Sequence, residues 1–538
     1  MRSATTITLQ ALGRTFNRPQ NATRICHLAR RWSSTSSEGR PSTPLAKTLT
    51  QAINATGPIP VATYMRQCLT APESGYYTRR IEGADQFGQK GDFVTSPEIS
   101  QIFGELVGLW MITEWMSQGR KSSGVQLMEV GPGRGTLMDD ILRTIRNFKP
   151  FSSSVETVYL VEASPSLRDA QQRLLCGDNP MRNMEIGHES VSKYSDIRVV
   201  WTEDIRLVPK DDSKTPFIVA HEFFDALPVH VFQNVKPSPT KPAEHPKDFS
   251  QEAVMASSNM MNKRPRDPKA NEWRELLVAP TPLTSTHASL NTPTSLRDHT
   301  PVPDFQLILS KGPTPHSMYL PHTSPRYSAL QNTPESVIEI SPESTAYASD
   351  FAIRIGGSPA TSSKKSSGAM GSQSSGSMNT LSTKSQPSGA ALILDYGTAS
   401  TIPTNSLRGI RGHKAVSPFA LPGEVDISAD VDFTALAESA INASPNVEVH
   451  GPVDQSHFLE SMGIRERAQM LLKHAEGQTG VTEDEKRQFQ ERIDAGWKRL
   501  VDRGPNGMGK LYKALAIVPY RPDSAVRRPV GFGGDVQV

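Results

Sequence analysis

One stretch constrains this chain more than any other: a short apolar strand, Val125 to Val130, runs into the loop Gly131-Pro132-Gly133-Arg134-Gly135 and then into an apolar-periodic helix, Leu137 to Ile145. Glycines stand where a chain must turn sharply and let a ligand lie against its backbone, an approach that side chains would block. The spacing is G-x-G-x-G, with Thr136 where a dinucleotide fingerprint would place its third glycine. An adenosyl-amino acid cofactor is therefore favoured over a pyrophosphate one. A tight strand–helix turn that holds no ligand is the reading the motif alone leaves open.

The same alternation continues downstream. Val155 to Val161 is expected as a second strand, Ser166 to Leu175 as a helix, Val199 to Trp201 as a third strand and Phe217 to Ala220 as a fourth. Strands alternating with helices imply an α/β fold with a mostly parallel, doubly wound sheet covered on both faces. Upstream, the apolar positions of Leu45, Leu49, Ile53, Val61, Tyr64, Met65 and Leu69 predict two helices around the break Gly57-Pro58-Ile59-Pro60. A third helix is expected from Ser96-Pro97-Glu98 through Trp110 to Met116. Later islands read as strands at Trp273 to Val278, Phe305 to Leu309, Val337 to Ile340, Ala390 to Tyr396 and Leu511 to Val518, and as helices at Glu343 to Ile355, Phe458 to Leu472 and Glu483 to Leu500.

Composition explains why 538 residues need not mean two cores. Apolar residues make up only 36%, and the deficit is concentrated in Asn234 to Asn271, Thr281 to Pro303 and Ser358 to Ser388. Such Pro-, Ser-, Thr- and Lys-rich tracts cannot bury enough surface to order themselves, so they are expected as disordered inserts. The formal charge of +3 is small for the length and offers no basic footprint, which disfavours a nucleic-acid binder. Cys26, Cys68 and Cys176 form no C-x-x-C pair, which argues against a disulfide framework and a thiolate metal site, and no metal is expected. No apolar run approaches the ~18 residues a membrane span needs.

The first segment reads as an address. No acidic residue precedes Glu38, whereas Arg2, Arg14, Arg18, Arg24, Arg30 and Arg31 punctuate a Ser- and Thr-rich stretch, the composition of a mitochondrial transit peptide. A membrane potential negative inside pulls such a cationic segment inward. Arg30-Arg31-Trp32-Ser33 resembles a matrix-peptidase site, so the mitochondrial matrix is the expected location, with a disordered basic tail as the alternative. The organisation expected is then 1–40 transit peptide, 41–124 helical segment over the active site, 125–235 cofactor-binding half, 236–390 short elements interrupted by inserts, 391–520 the remaining sheet with added helices, and 521–538 a tail.

Acidic residues at strand ends are the chemical candidates. Glu162 closes the second strand, where nucleotide folds place a carboxylate that accepts both ribose hydroxyls; a solvated strand end is the bland alternative. Asp204, just past the third strand, is placed to reach an adenine amino group, or simply sits in a surface loop. The fourth strand ends in Ala220-His221-Glu222-Phe223-Phe224-Asp225-Ala226-Leu227-Pro228. Carboxylates beside aromatics at a carboxyl strand end lie where open sheets build active sites. The position four after His221 is Asp225, so this is not a zinc motif. Glu222 and Asp225 as a helix start, with Asp225 the cap, is the competing reading.

Several motifs in order resemble one family: GYYTRRIEGADQFGQKGDFVTSPEISQIFGELVGLW from Gly75, VGPGRG, LVEASP, VAHEFFDALPVHVFQ, LRGIRGHK, DISADVDF and MGKLYKALAIVP. These are similar to the MidA family, whose mitochondrial members are complex I assembly factors that symmetrically dimethylate an arginine of the NADH dehydrogenase iron-sulfur protein 2 subunit. The resemblance runs from Pro44 to Pro519 except for the low-complexity tracts. It implies a seven-stranded-type S-adenosyl-L-methionine methyltransferase fold with an N-terminal helical segment, added helices and inserts. It matches Gly131, Gly133 and Gly135 to the family's cofactor loop and Glu162 to its ribose acid, and with Glu129, Asp204 and His221 these make up the expected cofactor site. Glu222, Asp225 and Glu98 would be the acids that grip the substrate arginine, with Asp92, Thr95 and Ser96 beside them. A nonenzymatic assembly chaperone keeping this fold is the runner-up, and an NAD-dependent oxidoreductase is weakened by the missing third glycine.

Overall fold

The computed structural model describes residues 41–79, 94–236, 271–290, 292–297, 301–359, 383–477, 482–522 and 528–533. The arginine-rich segment 1–40, Asp92 and the insert stretches 237–270 and 360–382 lie outside the described residues.

Two helices open the described chain. Thr43 caps α1 (Pro44–Thr56) by accepting from the Ala46 N–H at 3.0 Å, and Gly57 stops it; α2 (Val61–Thr70) follows the Pro58 break. The next expected helix is divided. Ser96–Ile99 is a single turn closed by the Thr95–Glu98 capping box, and Ser100, extended, caps a separate α3 (Gln101–Ser117) by accepting from the Ile102 N–H. Thr95 and Ser100 offer two competing N-caps five residues apart, and the chain uses both.

The central sheet is then laid down in order: β1 (Val125–Val130), α4 (Thr136–Ile145), β2 (Val155–Val161), α5 (Pro165–Cys176), β3 (Arg198–Thr202), β4 (Thr215–His221), α6 (Pro342–Gly356), β5 (Ala390–Thr398), α7 (Phe433–Ala443), β6 (Val447–Asp454), α8 (Gln455–Ser461), α9 (Ile464–Glu476), α10 (Glu483–Val501) and β7 (Tyr512–Pro519). Across the sheet the strands run β3–β2–β1–β4–β5–β7–β6, all parallel except β7. A hairpin, Arg182–Met184 with Gly187–Val191, extends the β3 edge antiparallel.

Alternate residues of each strand feed different cores. Leu127, Val158, Val199, Val219 and Leu392 pack under α3, α4, α5 and α8 to α10, whereas Met128, Tyr159, Val200, Ile218 and Ile393 pack under α6 and α7. Burial on both faces requires strands that are apolar throughout, which is why β1 to β5 are legible as continuous apolar runs. The expected helix Phe458 to Leu472 is broken at Gly463, whose φ of 84° lets α8 turn into α9.

A second antiparallel sheet is built from Ile59–Pro60, Glu272–Pro280, His230–Val235 and Val337–Ile340, with Phe305–Leu309 beside Glu272–Pro280. It packs with α1 and α2 around Tyr64, Met65, Val231, Val278 and Phe305. Two inserts are more ordered than their composition suggests. Thr281 to Pro303 contains described turns and the short helix Thr294–Arg297. The end of the Ser358 to Ser388 tract is anchored by Lys384, whose buried ammonium donates to the carbonyls of Lys214, Arg354 and Ser388. The three carbonyl acceptors compensate the burial of this ammonium, although burial still lowers its pKa to about 8.

Candidate active site

Sheet order reverses between β1 and β4, and in open α/β sheets ligands bind in the crevice beyond the carboxyl strand ends at such a point. A cavity of about 320 Å3 lies there, lined from the ends of β1, β2 and β4 by Glu129, Gly131 to Arg134, Glu162, Glu222, Phe223 and Asp225, and also by Leu69, Thr70 and Tyr77, whereas Gly135 of the loop does not line it. α2 and the residues after it supply those last three side chains.

The loop needs its glycines. Gly131, Gly133 and Gly135 all have positive φ, at 67°, 53° and 85°. A Cβ on Gly131 would come within 2.5 Å of the Phe223 ring. Gln171, fully buried on α5, fastens the loop to its neighbours: its Nε2 donates to the Gly133 carbonyl at 2.6 Å and to Glu162 Oε2 at 3.3 Å, and its Oε1 accepts from the Trp201 indole. Sequence reasoning missed Gln171. The signal was there in α5, where Ser164, Arg168, Gln171 and Leu175 are buried at helical spacing, but that face is largely polar and an apolar periodicity does not mark it.

Two carboxyls meet at the cofactor end. Glu129 is 2% exposed, its Oε2 has no hydrogen-bond partner, and burial, with the charge of Glu162 second, pushes its carboxyl up to about 8. Glu162 accepts from the Ser164 N–H at 2.8 Å, and burial raises it to about 7 against the pull of that bond, Gln171 and Arg168. A buried acid with a free oxygen beside open volume is a receptor for a positively charged or hydrogen-bond-donating ligand.

The other acids cluster at the end of β4. Glu222 has φ of 49°, a left-handed backbone that costs a non-glycine residue roughly 1–2 kcal/mol, and its N–H donates to the Leu394 carbonyl at 2.9 Å. Its Oε1 accepts from the Ser96 N–H at 3.4 Å and lies 3.2 Å from His221 Nε2, without hydrogen-bond alignment to that ring. His221 is buried against Phe103, ring centroids 4.9 Å apart. Asp225 lines the cavity, and its Oδ1 is buried with no partner. Burial, then Glu222, pushes the Asp225 carboxyl up to about 6, opposed by the Tyr396 hydroxyl and Arg408.

Asp225 is not a helix cap. Asp395, fully buried at the end of β5, takes that role: its Oδ2 accepts from the N–H groups of Phe223 at 3.0 Å, Phe224 at 2.8 Å and Asp225 at 3.4 Å. The Asp225 carboxylate is thereby left to the cavity. Beside it stand Tyr396 and Tyr512, ring centroids 5.3 Å apart, with the Arg408 guanidinium 4.4 Å over Tyr396 and paired with Asp430.

Two expected site residues are otherwise engaged. Asp204 does not line the cavity: its carboxylate accepts from the Arg206 backbone at 2.8 Å and from the Arg206 guanidinium, which holds it below the usual carboxylate range. The preceding residue, Glu203, lines the cavity and pairs with Arg168 at 3.1 Å. Glu98 reaches the cavity wall, but one oxygen closes the capping box with Thr95 and the other lies 3.7 Å from Arg134.

This strand order, with a glycine loop after β1 and a carboxylate after β2, defines the class: an S-adenosyl-L-methionine-dependent methyltransferase. Residues 106–453 match the family described as "Putative S-adenosyl-L-methionine-dependent methyltransferase". The chain belongs to that MidA-like family, and S-adenosylmethionine is its cofactor. Among curated relatives, the mitochondrial protein arginine methyltransferase NDUFAF7 homologue of Drosophila melanogaster is 33% identical over 478 residues, covering 88% of this chain and 85% of that one. The protein arginine methyltransferase NDUFAF7 of Homo sapiens is 31% identical, covering 89% and 85%. A Burkholderia thailandensis protein bound to S-adenosyl-homocysteine shares the fold, with a TM-score of 0.56 at 19% identity, covering 91% of this chain and 93% of that one. Among the described residues no helix is long and apolar enough to cross a membrane.

Proposed function

We propose that this methyltransferase modifies protein arginine in the mitochondrial matrix, with Glu222 and Asp225 gripping the substrate guanidinium. The observation that carries the reading is the Asp225 turn, where a buried carboxylate oxygen without a partner faces the cavity beside Glu222. Relatives named as mitochondrial protein arginine methyltransferases support the substrate class. The family resemblance supports the finer assignment: symmetric dimethylation of the iron-sulfur protein 2 subunit of NADH dehydrogenase during complex I assembly.

When bound, S-adenosylmethionine supplies a methyl group on a positively charged sulfur. Glu129 Oε2 fits its ammonium group and Glu162 its ribose hydroxyls, with the glycine loop against the amino-acid portion. The remaining work is alignment and charge. A guanidinium stays protonated at physiological pH, and two unit positive charges at 4 Å repel by about 4 kcal/mol at an effective dielectric of 20. Glu222 and Asp225 offset that repulsion and orient one nitrogen by charge-assisted hydrogen bonds. Transfer converts one N–H into N–CH3, and the carboxylate facing that nitrogen accepts the released proton. Tyr396, Tyr512 and Phe223 keep water from the reacting atoms and offer π faces to cations. Holding both partners in line can supply about 7–11 kcal/mol.

The test is mass spectrometry of complex I arginines with and without this protein, together with transfer of labelled methyl groups to the isolated subunit. Symmetric dimethylarginine that disappears without the protein is the expected result. Unchanged arginine methylation, with complex I assembly still lost, would replace the catalytic reading with that of a binding chaperone.

A further inference from the structure

Away from the methyl-transfer cavity, three side chains of metal-ligand type converge. His230 opens the strand His230–Val235, and Glu275 lies in the paired strand Glu272–Pro280 opposite Phe232, so His230 stands diagonal to it on the same face. His316 lies in the helix Pro315–Tyr319. His230 Nδ1 is 2.8 Å from Glu275 Oε1, His316 Nδ1 is 3.5 Å from Glu275 Oε2, and one donor atom from each of the three lies within 4.8 Å of the others. Thr314 Oγ1 donates to Glu275 Oε2 at 2.5 Å and fixes the carboxylate plane. None of the three residues lines the methyl-transfer cavity.

Charge makes this more than a hydrogen-bonded triad. Glu275 is fully buried, and among the described residues no lysine or arginine pairs with it. A buried carboxylate requires a compensating positive charge. The two imidazoles stand close together, ring centroids 4.2 Å apart. A divalent ion supplies that charge, because it takes imidazole lone pairs and neutralises the carboxylate. Donors around a tetrahedral ion at ~2.0–2.1 Å stand roughly 3.3 Å apart, and the two imidazole–carboxylate distances of 2.8 and 3.5 Å bracket that value, with all donor atoms within 4.8 Å of one another. Imidazole with carboxylate suits zinc-class ions rather than magnesium.

We propose that His230, Glu275 and His316 form a binding site for a zinc-class divalent ion, with water at the half-exposed fourth position beside His316. The ion clamps the helix Pro315–Tyr319 onto the two strands. It also anchors the strand that leaves the Glu222–Asp225 turn, since His230 follows that turn in the same segment. No motif announces the site, because the ligands come from three elements far apart in sequence.

The test titrates the full chain, purified with chelator, with ZnCl2 by calorimetry and with Co2+ by visible absorption. Wild type should bind about one ion tightly, show the intense d–d bands of a tetrahedral cobalt centre, and melt at higher temperature with zinc. His316→Ala leaves the His230–Glu275 bond in place and should weaken zinc at least about tenfold while melting like wild type without metal. Glu275→Gln should do the same to zinc affinity, and His474→Ala, on an exposed face of α9, should bind like wild type. Absence of saturable zinc binding by wild type, or equal binding by His316→Ala, would overturn the proposal and leave a metal-free hydrogen-bonded triad.

Discussion

Glu129→Gln is the perturbation that interrogates the cofactor site most directly. Burial and Glu162 push the Glu129 carboxyl up to about 8, so in the ligand-free protein at pH 7 it is about nine-tenths protonated. A ligand ammonium group binds the ionised form. Apparent affinity is then reduced by the ionised fraction, and lowering the pH from 7 to 6 should weaken S-adenosylhomocysteine about ninefold through Glu129 alone. Glu162, raised to about 7, adds a smaller dependence in the same direction. The stability sign is opposite to that of an ordinary salt-bridged acid. A carboxyl with a raised folded pKa binds protons that the unfolded chain has lost, so the ligand-free protein loses stability as pH rises from about 4.5 toward about 8. Calorimetry of S-adenosylhomocysteine in two buffers of different ionisation heat should therefore show close to one proton released from Glu129 at pH 7. Glu129→Gln should abolish that release and weaken binding roughly 10- to 100-fold, the value of a hydrogen bond to a charged group. Binding with no proton release in wild type, or equal release in the variant, would refute the pairing of Glu129 with the ligand.

The acid turn separates catalysis from folding. Glu222→Gln and Asp225→Asn should each lower methyl transfer at least ~100-fold, or ~2.7 kcal/mol, with little change in melting temperature, whereas Asp395→Ala should lower the melting temperature as well, because three N–H groups lose their acceptor. Gly133→Val should remove measurable S-adenosylhomocysteine binding, since a β-branched residue resists the φ of 53° the loop uses; unchanged affinity in a folded variant would move the cofactor elsewhere. Residues 1–40 fused to a fluorescent reporter should enter mitochondria and should stay cytosolic once their arginines are replaced.

What could be read from sequence follows from how each element is stabilised. Strands β1 to β5 are buried on both faces and appear as apolar runs, with β4 and the box after it pointing to the cavity. Strand β6 was not legible, because in Val447–Asp454 most side chains are only partly buried and the strand lies at the sheet edge beyond β7. Helix α7 is short and alanine-rich, so its apolar stripe is faint. Among site residues, Glu162 and Glu222 stand at strand ends and declare themselves by position. Asp395 also ends a strand, yet its role depends on β5 lying beside β4, with Leu394 in register with His221, a pairing made across 172 residues from Phe223 to Asp395. Asp204 shows the reverse: position alone nominates it, but Arg206 two residues on supplies a nearer partner.

Charge around the cavity bears on which kind of cofactor and substrate this fold accepts. Several of its acids are already matched, Glu98 near Arg134, Glu203 to Arg168 and Asp426 to the Tyr77 hydroxyl. Among the described residues two pairs form no direct ion pair with a lysine or arginine, Arg168 and Arg408 acting only from further off: Glu129 with Glu162 beyond β1 and β2, and Glu222 with Asp225 beyond β4. Burial of a charged group in a desolvated crevice is unfavourable, and it raises the Glu129, Glu162 and Asp225 carboxyls, with the neighbouring acid adding to the rise for Glu129 and Asp225. A dinucleotide would worsen this, since its pyrophosphate brings two more negative charges to the glycine loop beside Glu129. A cofactor carrying an ammonium and a sulfonium would relieve the first pair, and the proposed substrate guanidinium would relieve the second. The left-handed Glu222 fits the proposed role, because the chain holds a non-glycine residue at φ 49° through Leu394 and so keeps a carboxylate at the cavity wall, where the proposal brings two cations together.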